Sequence, residues 1–448
     1  MSTQPGSATA NRSSRPNLLV ILTDDQGRCD YSACGTPDIR TPNIDRIFKE
    51  GVEFENFLAN SPVCSPSRAS LLTGCYPDRV GVPGVIRYYP QESWGWLSPD
   101  TTLLPQLLKP AGYHCAIVGK WHLGLESPNV PNDRGFDFFH GFLGDMMDDY
   151  WTHLRHGVNF LRRDREIVNP EGHATDIFTG WACSYLEERA KSSQPFFLYL
   201  AYNAPHGPIQ PPPDWLERVA KREPGMDPKR QKLVALIEHM DAGVGRVLDT
   251  LKRTGLEDNT MVVFLSDNGG VLADGANNGP WRAGKCHVYE GGLRVPCGIR
   301  WPGRLKAGSG AMAPYALTMD LHPTLAEAAG VKPNEGIDGL SLLPALTVGS
   351  QHGLQATRAT PAREFYFLWR EGWLHGGKTI DALRRGHWKI LQDSPYAPRE
   401  LYNLAADPRE TTDLSKKEAA IFRDLAAALM RHIQRGGQIP WQPPADKR

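Results

Sequence analysis

The stretch NLLVILTDD, Asn17 to Asp25, carries the clearest information about the fold. Its first seven residues form a continuous apolar run rich in branched side chains, which predicts a strand buried on both faces of a sheet. Similar runs follow at Tyr113–Val118, Pro195–Tyr202 and Thr260–Ser266. Segments with helical spacing separate these runs, near Ile44–Glu50, Leu103–Leu108, Asp176–Ala190 and Arg230–Thr254. This alternation predicts an α/β fold in which a large, mostly parallel sheet is sandwiched by helices.

Polar residues follow each predicted strand, at the edge of a parallel sheet where ligands usually bind. They are Asp24, Asp25, Lys120, His122, Asn203, His206, Asp267 and Asn268. The pairs Asp24-Asp25 and Asp267-Asn268 offer four hard oxygen donors, a set that suits Ca²⁺ or Mg²⁺. Either pair alone could also do no more than cap the turn after its strand.

From residue 362 onward the sequence predicts a smaller antiparallel sheet with a closing helix. The strand-like runs are Phe365–Trp369, Lys378–Leu383 and His387–Leu391, with a turn at Gly376-Gly377. An amphipathic helix near Lys416–Arg435 would pack on this sheet through Ile421, Phe422, Leu425, Leu429 and Ile433. We therefore expect a disordered leader over residues 1–15, a catalytic domain over 16–345, a linker over 346–361 and a C-terminal subdomain over 362–448.

Composition excludes several classes of function. The 448 residues include 50 Lys+Arg and 50 Asp+Glu, so the chain lacks the basic excess of a nucleic-acid binder. The longest apolar run, Phe196–Tyr202, is far shorter than the roughly 20 residues that cross a bilayer. The first fifteen residues are polar and lack the apolar core of a secretory signal. We expect a cytoplasmic protein that contacts neither nucleic acid nor membrane, or a periplasmic or secreted one if the true start lies upstream.

The 8 cysteines are scattered without a CxxC pair or a metal-finger spacing. No disulfide framework is indicated, and seven of them are predicted to be ordinary thiols: Cys29, Cys34, Cys75, Cys115, Cys183, Cys286 and Cys297.

The eighth, Cys64, lies in the segment SPVCSPSRASLLTG, residues 61–74. Pro66 and Ser67 favour a helix start, so Cys64 is expected just before a helix N-terminus. Such an end attracts oxyanions, and Arg68 can add a charge-assisted hydrogen bond. An isolated cysteine is more often a small buried apolar residue.

The string CSPSRASLLTG, residues 64–74, resembles the C-x-P-x-R…TG signature of the type I sulfatases, in which the cysteine is oxidised to formylglycine. These enzymes are arylsulfatase-like members of the alkaline phosphatase superfamily. Further matching strings are TPNIDRIFKEGVEF (41–54), GKWHLG (119–124), YNAPHGP (202–208), SDNGG (266–270), AGKCHVYEGGLRVP (283–296) and LYNLAADPRETTDL (401–414). The resemblance implies an alkaline-phosphatase-like fold and hydrolysis of a sulfate ester to an alcohol and inorganic sulfate.

The resemblance also implies a metal site. Asp24, Asp25, Asp267 and Asn268 match the ligands of one divalent ion, usually Ca²⁺ with Mg²⁺ as the alternative, and Cys64 as formylglycine would complete the set. The hydrated aldehyde is a gem-diol, of which one hydroxyl attacks sulfur and the other then expels sulfate. A formylglycine-generating enzyme must convert Cys64, and CSPSR contains the Cys, Pro and Arg that such enzymes read.

The remaining catalytic roles also follow from the resemblance. Arg68 would hold the formylglycine, and Lys120 and Lys285 would bind sulfate oxygens. His122 would orient the diol or take its proton, and His206 would be the general acid at the leaving group. Because Lys120 and His122 are two residues apart at a strand end, we expect both side chains on one face of the sheet.

Substrate contacts are expected from three segments, of which the third, His375–Lys378 in the C-terminal part, can reach the rim of the pocket in the fold that the resemblance implies. Trp94 and Trp96 lie in residues 87–100 and could stack on sugar rings. Asp148, Asp149, Tyr150 and His153 lie in residues 144–163 and could recognise hydroxyl groups. Ordinary packing is the alternative for each of them. We expect a carbohydrate sulfate such as N-acetylgalactosamine 6-sulfate, with aryl sulfates as artificial substrates.

Two other functions remain open. A phosphate mono- or diesterase of the same superfamily would normally hold two transition-metal ions with extra His and Asp ligands, whereas the strand ends here supply ligands for one. A catalytically silent protein that binds sulfated glycans would be expected to lose the nucleophile, a metal carboxylate or a lysine, and this chain keeps all of them. Glu290 and Arg294, in the string 283–296, are expected to be structural.

Overall fold

The computed structural model describes residues 15–308, 311–312, 314–347 and 363–443. Nearly all of the predicted leader and most of the predicted linker lie outside the described residues. Within the described ranges, no helix combines the length and the apolar character that crossing a bilayer requires.

The main sheet has ten strands. In spatial order they are β13 (Ala311–Met312), β2 (Val52–Phe54), β12 (Cys297–Arg300), β11 (Thr260–Ser266), β1 (Asn17–Thr23), β10 (Phe196–Ala201), β4 (His114–Lys120), β5 (Phe138–Phe142), β8 (Leu161–Arg163) and β9 (Glu166–Ile167). The five strands β11, β1, β10, β4 and β5 run parallel, whereas β12 and β8 run antiparallel to their neighbours. Every residue of β1 and β11 is buried, as expected for strands covered on both faces.

Helices flank this sheet in two groups. One group comprises α1 (Pro42–Lys49), α4 (Ala174–Arg189), α5 (Pro213–Arg222) and α6 (Pro228–Arg253), which pack on one another. The other comprises α2 (Cys64–Thr73), α3 (Leu104–Leu108) and α8 (Leu321–Ala328). Shorter helices are α7 (Glu290–Leu293) and α9 (Leu343–Thr347). The predicted α/β class with a mostly parallel sheet is confirmed.

The C-terminal part is a second, antiparallel sheet, also as predicted. Its strands are β15 (Glu364–Arg370), β16 (Thr379–Arg385), β17 (Trp388–Gln392) and β18 (Glu400–Asn403), in that order. Helix α10 (Ala419–Gly436) packs on β16 and β17 and buries Leu425 and Leu429. Two small pairs complete the strands, β3 (Phe57–Leu58) with β14 (Ala316–Leu317), and β6 (Leu154–Arg155) with β7 (Val158–Asn159).

The apolar core of the second sheet extends into the catalytic domain. It includes Val63, Tyr76, Val288 and Leu293 together with the inner face of β15–β18. The C-terminal sheet is therefore packed against the residues that surround Cys64 and Lys285, rather than attached as a separate body.

One prediction about the cysteines is wrong. Cys29 and Cys34 are paired as a disulfide, so they are not ordinary thiols. The short 3₁₀ turn Ser32–Cys34 folds the chain back and leaves the two Cα atoms 5.4 Å apart, within the range that a disulfide bridges. The other cysteines, including Cys64, are free thiols.

Candidate active site

The site forms where four neighbouring strands, β11, β1, β10 and β4, end at one edge of the sheet. Thr23 pairs with Ser266, so the pairs Asp24-Asp25 and Asp267-Asn268 leave the sheet side by side. Leu22 pairs with Ala201, and Ala201 pairs with Gly119, which brings the segments that follow β10 and β4 to the same edge. The parallel arrangement of these strands is thus what assembles residues far apart in the sequence.

Gly119 sets the position of Lys120. Its φ of 102° lies in the left-handed region, and a Cβ atom there would be 1.9 Å from the carbonyl oxygen of Ala201. Only glycine permits this close approach of β4 to β10. The Lys120 side chain is fully buried, and its Nζ lies 2.5 Å from Asp24 Oδ2.

Arg68 is the centre of a buried charge network. It extends from α2, is fully buried, and donates from Nε and Nη2 to Asp267 Oδ2 at 3.2 and 2.9 Å. Nη2 also lies 3.5 Å from Asp24 Oδ2, and Nη1 donates to the carbonyl oxygen of Lys120 at 3.2 Å. The guanidinium therefore ties together the ends of β1, β11 and β4.

Asp25 forms the other half of the network. Its backbone φ is 68°, an uncommon value for a residue other than glycine and one often found at functional sites. Its carboxylate accepts from Lys285 Nζ at 2.7 Å and from Asn268 Nδ2 at 2.7 Å. His206 Nε2 lies 3.6 Å from Asp25 Oδ2.

Cys64 is the first residue of α2, whereas the sequence placed it just before the helix. It is buried, with 4% of its surface exposed. Its Sγ, a carboxylate oxygen from each of Asp24 and Asp25, and a ring nitrogen of His206 all lie within 4.8 Å of one another. Burial raises the pKa of the thiol to about 12, so unmodified Cys64 is a neutral thiol at ordinary pH.

The two histidines each have one fixed ring nitrogen. Because a carbonyl oxygen can only accept, His206 Nδ1 must donate to the Gly207 carbonyl at 2.7 Å, which leaves Nε2 to face Asp25. By the same argument His122 donates from Nε2 to the Ile86 carbonyl at 2.8 Å, and its buried Nδ1 has no partner among the described residues. Each ring thus keeps one nitrogen available for proton transfer.

His122 does not reach the site in the way predicted. Strand β4 ends at Lys120, and His122 has a φ of 59° in the loop beyond it. The alternation of side chains along a strand therefore does not apply to these two residues. Burial and the charge of Lys120 lower the pKa of His122 well below its usual value, so the ring is near Lys120 and is neutral.

The surroundings shift the pKa values of two site carboxylates, Asp24 and Asp267, in opposite directions. Burial opposes the ionisation of Asp24, but the charges of Lys120, His206 and Arg68 outweigh it and hold its pKa well below the usual range. Burial and the charge of Asp24 raise the pKa of Asp267. Two acids pushed in opposite directions are typical of carboxylates that share one small space.

A divalent cation fits this donor set. Asp24 Oδ1 and Asn268 Oδ1 are buried oxygens without a hydrogen-bond partner among the described residues. Leaving a buried acceptor unpaired costs free energy that a cation would recover. Hard oxygen donors from Asp24, Asp25, Asp267 and Asn268 suit Ca²⁺ or Mg²⁺. These acidic residues could therefore hold a divalent cation.

The two tryptophans predicted to stack on sugars are both partly buried. Trp94 stacks on Trp441 with ring centroids 4.4 Å apart and planes at 9°. The backbone of Gly372 covers another part of the ring, since a Cβ there would lie 2.7 Å from Trp94 Nε1. Trp96 is half-buried and donates its backbone N–H to the Gly81 carbonyl. This placement favours a structural role for Trp94.

The second predicted segment is also largely engaged in internal contacts. Tyr150 and His153 are each 1% exposed; the Tyr150 hydroxyl bonds the carbonyls of Asn203 and His206 at 2.8 Å, and His153 bonds Gly172. Asp148 is exposed but accepts from Arg155, while Asp149 accepts from the N–H groups of Trp151 and Thr152. Tyr150 is therefore buried against the loop that carries His206 and stabilises it by hydrogen bonds.

Two residues that were not identified from the sequence, Ser65 and Asn278, shape the site through hydrogen bonds to the backbone. Ser65 Oγ accepts from the Ile86 N–H at 3.1 Å, so one loop connects the neighbour of Cys64 with His122. Asn278 bonds both the N–H and the carbonyl of Gly270 and also the Ala283 carbonyl. Asn278 thereby joins the loop of Asn268 to that of Lys285. Nothing in the sequence distinguishes these residues from ordinary turn formers.

Comparison with known proteins agrees with this geometry. The family model described as Sulfatase matches residues 16–331, and the one described as N-sulphoglucosamine sulphohydrolase, C-terminal, matches 281–435. The chain is 35% identical to N-acetylgalactosamine-6-sulfatase of Homo sapiens, over 96% of this chain and 87% of that protein. It is 30% identical to arylsulfatase J of Mus musculus, over 99% of this chain and 80% of that protein.

A solved structure of similar shape is that of Ps i-CgsB in complex with k-i-k-neocarrahexaose. The two superpose with a TM-score of 0.85 and 31% identity, over 97% of this chain and 96% of that chain. The chain belongs to the sulfatase family, as the resemblance predicted. It is a sulfuric ester hydrolase.

Proposed function

We propose that the chain hydrolyses a carbohydrate sulfate ester, with N-acetylgalactosamine 6-sulfate as the leading candidate. The observation that carries the reaction is the buried convergence of Cys64 Sγ, two carboxylates and a His206 nitrogen within 4.8 Å. Support for the sugar comes from the human relative, which is named for this substrate, and from the oligosaccharide in the Ps i-CgsB complex.

The proposed nucleophile is residue 64 after a maturation enzyme has converted Cys64 to formylglycine. Its hydrate has two hydroxyl groups, and one oxygen forms a bond to sulfur as the bond from sulfur to the sugar oxygen breaks. The second hydroxyl then loses its proton, the aldehyde re-forms, and the bond between carbon and the sulfate oxygen breaks. A thiol or a serine hydroxyl has no second hydroxyl for this release.

One Ca²⁺, or Mg²⁺ in its place, is the proposed cofactor, held by Asp24, Asp25, Asp267, Asn268 and residue 64. When bound it would polarise the attacking hydroxyl and help neutralise the sulfuryl oxygens. Arg68, on Asp267 Oδ2 at 2.9 Å, keeps the Asp267 carboxylate oriented, and its charge opposes the rise in the pKa of Asp267.

Lys120 and Lys285 supply the positive charge for the sulfuryl group. Lys120 Nζ donates to Asp24 Oδ2 at 2.5 Å, and Lys285 Nζ donates to Asp25 Oδ2 at 2.7 Å. Preorganised charges in a water-poor site stabilise a transition state strongly because they need not reorient during the reaction.

His206 is the proposed general acid. Its Nδ1 donates to the Gly207 carbonyl, so Nε2 carries a transferable proton only in the imidazolium form. Burial and the charge of Lys285 lower the pKa of His206, and the Asp25 carboxylate, 3.6 Å from Nε2, opposes this shift and favours the imidazolium. His122, with Nε2 fixed on Ile86, has Nδ1 free to accept the proton released when the aldehyde re-forms.

Substrate choice is testable with matched esters. Protein produced together with a formylglycine-generating enzyme would be assayed on N-acetylgalactosamine 6-sulfate, its 4-sulfate isomer, an aryl sulfate and the matching aryl phosphate. We expect kcat/KM to be highest for the 6-sulfate among the sugars, and the aryl sulfate to exceed the aryl phosphate. Preference for the 4-sulfate would refute the sugar assignment, and preference for the phosphate would refute the sulfatase chemistry.

A further inference from the structure

An exposed aromatic surface lies at the turn that joins β15 to β16. Trp373 is 83% exposed, and Tyr396, in the loop between β17 and β18, is 90% exposed. Large aromatic rings left in water by a folded chain often mark a binding surface, because their rings offer broad contact area at low entropic cost. We call Trp373, Leu374 and Tyr396 the rim platform.

The two rings flank a stretch of bare backbone. Gly376 and Gly377 have φ values of 81° and 58°, a conformation that side chains other than glycine rarely adopt. A Cβ atom on Gly377 would lie 3.7 Å from Tyr396 Oη and 3.9 Å from Trp373 Cα. Gly377 is therefore within contact range of both aromatic residues, which places Trp373 and Tyr396 on the same small part of the surface.

The turn is tied directly to the active site. Glu371, just before the platform, accepts from the Val85 N–H at 3.0 Å and pairs with Arg87 at 3.1 Å. Ile86, between those two residues, bonds Ser65 through its N–H and His122 through its carbonyl. The segment Val85–Arg87 therefore connects the turn that carries the platform with Ser65, the neighbour of residue 64, and with His122.

The turn of the platform also contains a basic residue. Lys378 ends the turn, and its carbonyl accepts from the Glu371 N–H at 2.7 Å. Burial raises the pKa of the Cys286 thiol, and the charges of Lys285 and Lys378 both oppose this shift. Lys378 is therefore close enough to Cys286, the residue that follows Lys285, to act on it electrostatically.

We propose that the rim platform binds a second sugar ring of an oligosaccharide whose sulfated ring occupies the active site. Pyranose rings present flat C–H faces that stack on aromatic side chains, and Lys378 suits an anionic substituent on that second ring. Continuity with the active site favours a part of the substrate over a separate protein partner. The inference rests on the proposed function, since it concerns the rest of the same substrate.

Binding to a catalytically inactive form tests the platform without depending on turnover. In a Cys64→Ala background, calorimetry would compare N-acetylgalactosamine 6-sulfate with a chondroitin 6-sulfate tetrasaccharide. We expect Trp373→Ala and Tyr396→Ala each to weaken tetrasaccharide binding about tenfold, close to 1.4 kcal/mol. Ile167→Ala is the matched control, because Ile167 is 65% exposed on the distant edge strand β9.

Kinetics on the converted enzyme give a second readout. We expect Trp373→Ala to lower the ratio of kcat/KM for the tetrasaccharide to that for the monosaccharide about tenfold, and Ile167→Ala to leave the ratio unchanged. Equal tetrasaccharide affinity with and without Trp373, or a tetrasaccharide that binds no tighter than the monosaccharide, would overturn the platform. If the converted enzyme hydrolysed no sulfate ester, the proposed function would fail, while the calorimetric comparison would still decide about the platform.

Discussion

Residue 64 combines three features that suit a modified nucleophile. It begins a ten-residue helix whose first N–H groups are free of intrahelical partners, it is buried, and it lies against the carboxylates of Asp24 and Asp25. A neutral thiol gains little from such a place, whereas a hydrated aldehyde beside a cation gains polarisation and orientation. The environment thus makes chemical sense once the side chain carries oxygen instead of sulfur.

Removing the side chain at residue 64 tests this role. We expect Cys64→Ala to lower kcat by at least about 10⁴-fold, because the attacking group is lost, and to leave the melting temperature nearly unchanged, because little volume is removed. Steady-state kinetics on an aryl sulfate and a thermal melt check the two parts. Retained turnover would remove residue 64 from the mechanism.

The His206 assignment predicts a dependence on the leaving group. With Nδ1 held by Gly207, only Nε2 can protonate the departing oxygen. We expect His206→Ala to lower kcat/KM for a sugar sulfate about 10²–10³-fold, but for an activated nitroaryl sulfate by less than about tenfold, since a good leaving group needs little protonation. Equal losses on both substrates would contradict the acid role.

At the scale of elements, the site depends on parallel strands that end together. β1 and β11 supply the proposed metal ligands, β10 leads into the His206 loop, and β4 ends on Lys120. Two of the ligand oxygens, Asp24 Oδ1 and Asn268 Oδ1, are buried without a hydrogen-bond partner among the described residues, and leaving them so costs free energy that a cation would recover. The metal should therefore stabilise the fold as well as the reaction.

Chelation tests this coupling. We expect metal removal to abolish hydrolysis and to lower the melting temperature, because buried carboxylates lose their cation, and Ca²⁺ to restore both. Calorimetric melts and an aryl sulfate assay before and after dialysis against a chelator provide the measurements. Full activity with metal content verified as absent would contradict the proposed site.

These elements also show what the sequence could predict. β1 and β11 run over Asn17–Thr23 and Thr260–Ser266, the bounds predicted from their continuous apolar runs. β12 was not predicted, because Cys297–Arg300 is short and ends in a charged residue. The placement of His122 was predicted from strand alternation, but the chain leaves the strand at Lys120 and turns with a positive φ that no local pattern announces.

At the scale of the whole molecule, the C-terminal sheet holds the loop that carries Lys285. Lys389 of β17 is fully buried between Glu290 and Glu410, at 3.0 and 2.8 Å. Asp393 bonds His287 Nδ1 at 2.6 Å and the Val288 N–H at 2.9 Å. This arrangement agrees with the structural role predicted for Glu290. The contact with Lys389 could not be predicted from the sequence, because it depends on how the two sheets pack together.

Breaking this contact should destabilise the molecule. We expect Lys389→Met to lower the free energy of unfolding by about 3–5 kcal/mol, because it leaves the buried Glu410 carboxylate without its cation, whereas Glu290 keeps Arg294 at 2.8 Å. The matched control is Lys332→Met, which removes an exposed pair with Glu335 at 3.0 Å and should change stability little. Denaturant unfolding of both variants decides, and an equal, small effect would show that the C-terminal contact is not stabilising.

Long-range packing determines how much of the Trp94 ring a ligand could reach. In the sequence Trp94 is a candidate for stacking on a sugar, but in the structure Trp441, which lies far from it in the chain, stacks on its ring. Trp373 was not singled out, because its exposure depends on how the β15–β16 turn projects from the second sheet. Motif-bearing residues were identifiable from local strings, whereas the surface that meets the rest of the substrate depends on contacts between distant segments.

The most direct test of the account is peptide mass spectrometry of Glu50–Arg68, the tryptic peptide that contains Cys64, taken from enzyme that hydrolyses a sulfate ester. Exchange of the thiol for an aldehyde removes H₂S and adds an oxygen atom, so the formylglycine mechanism predicts a peptide lighter by about 18 Da than the cysteine form. An active enzyme in which Cys64 is entirely unmodified would contradict the formylglycine mechanism.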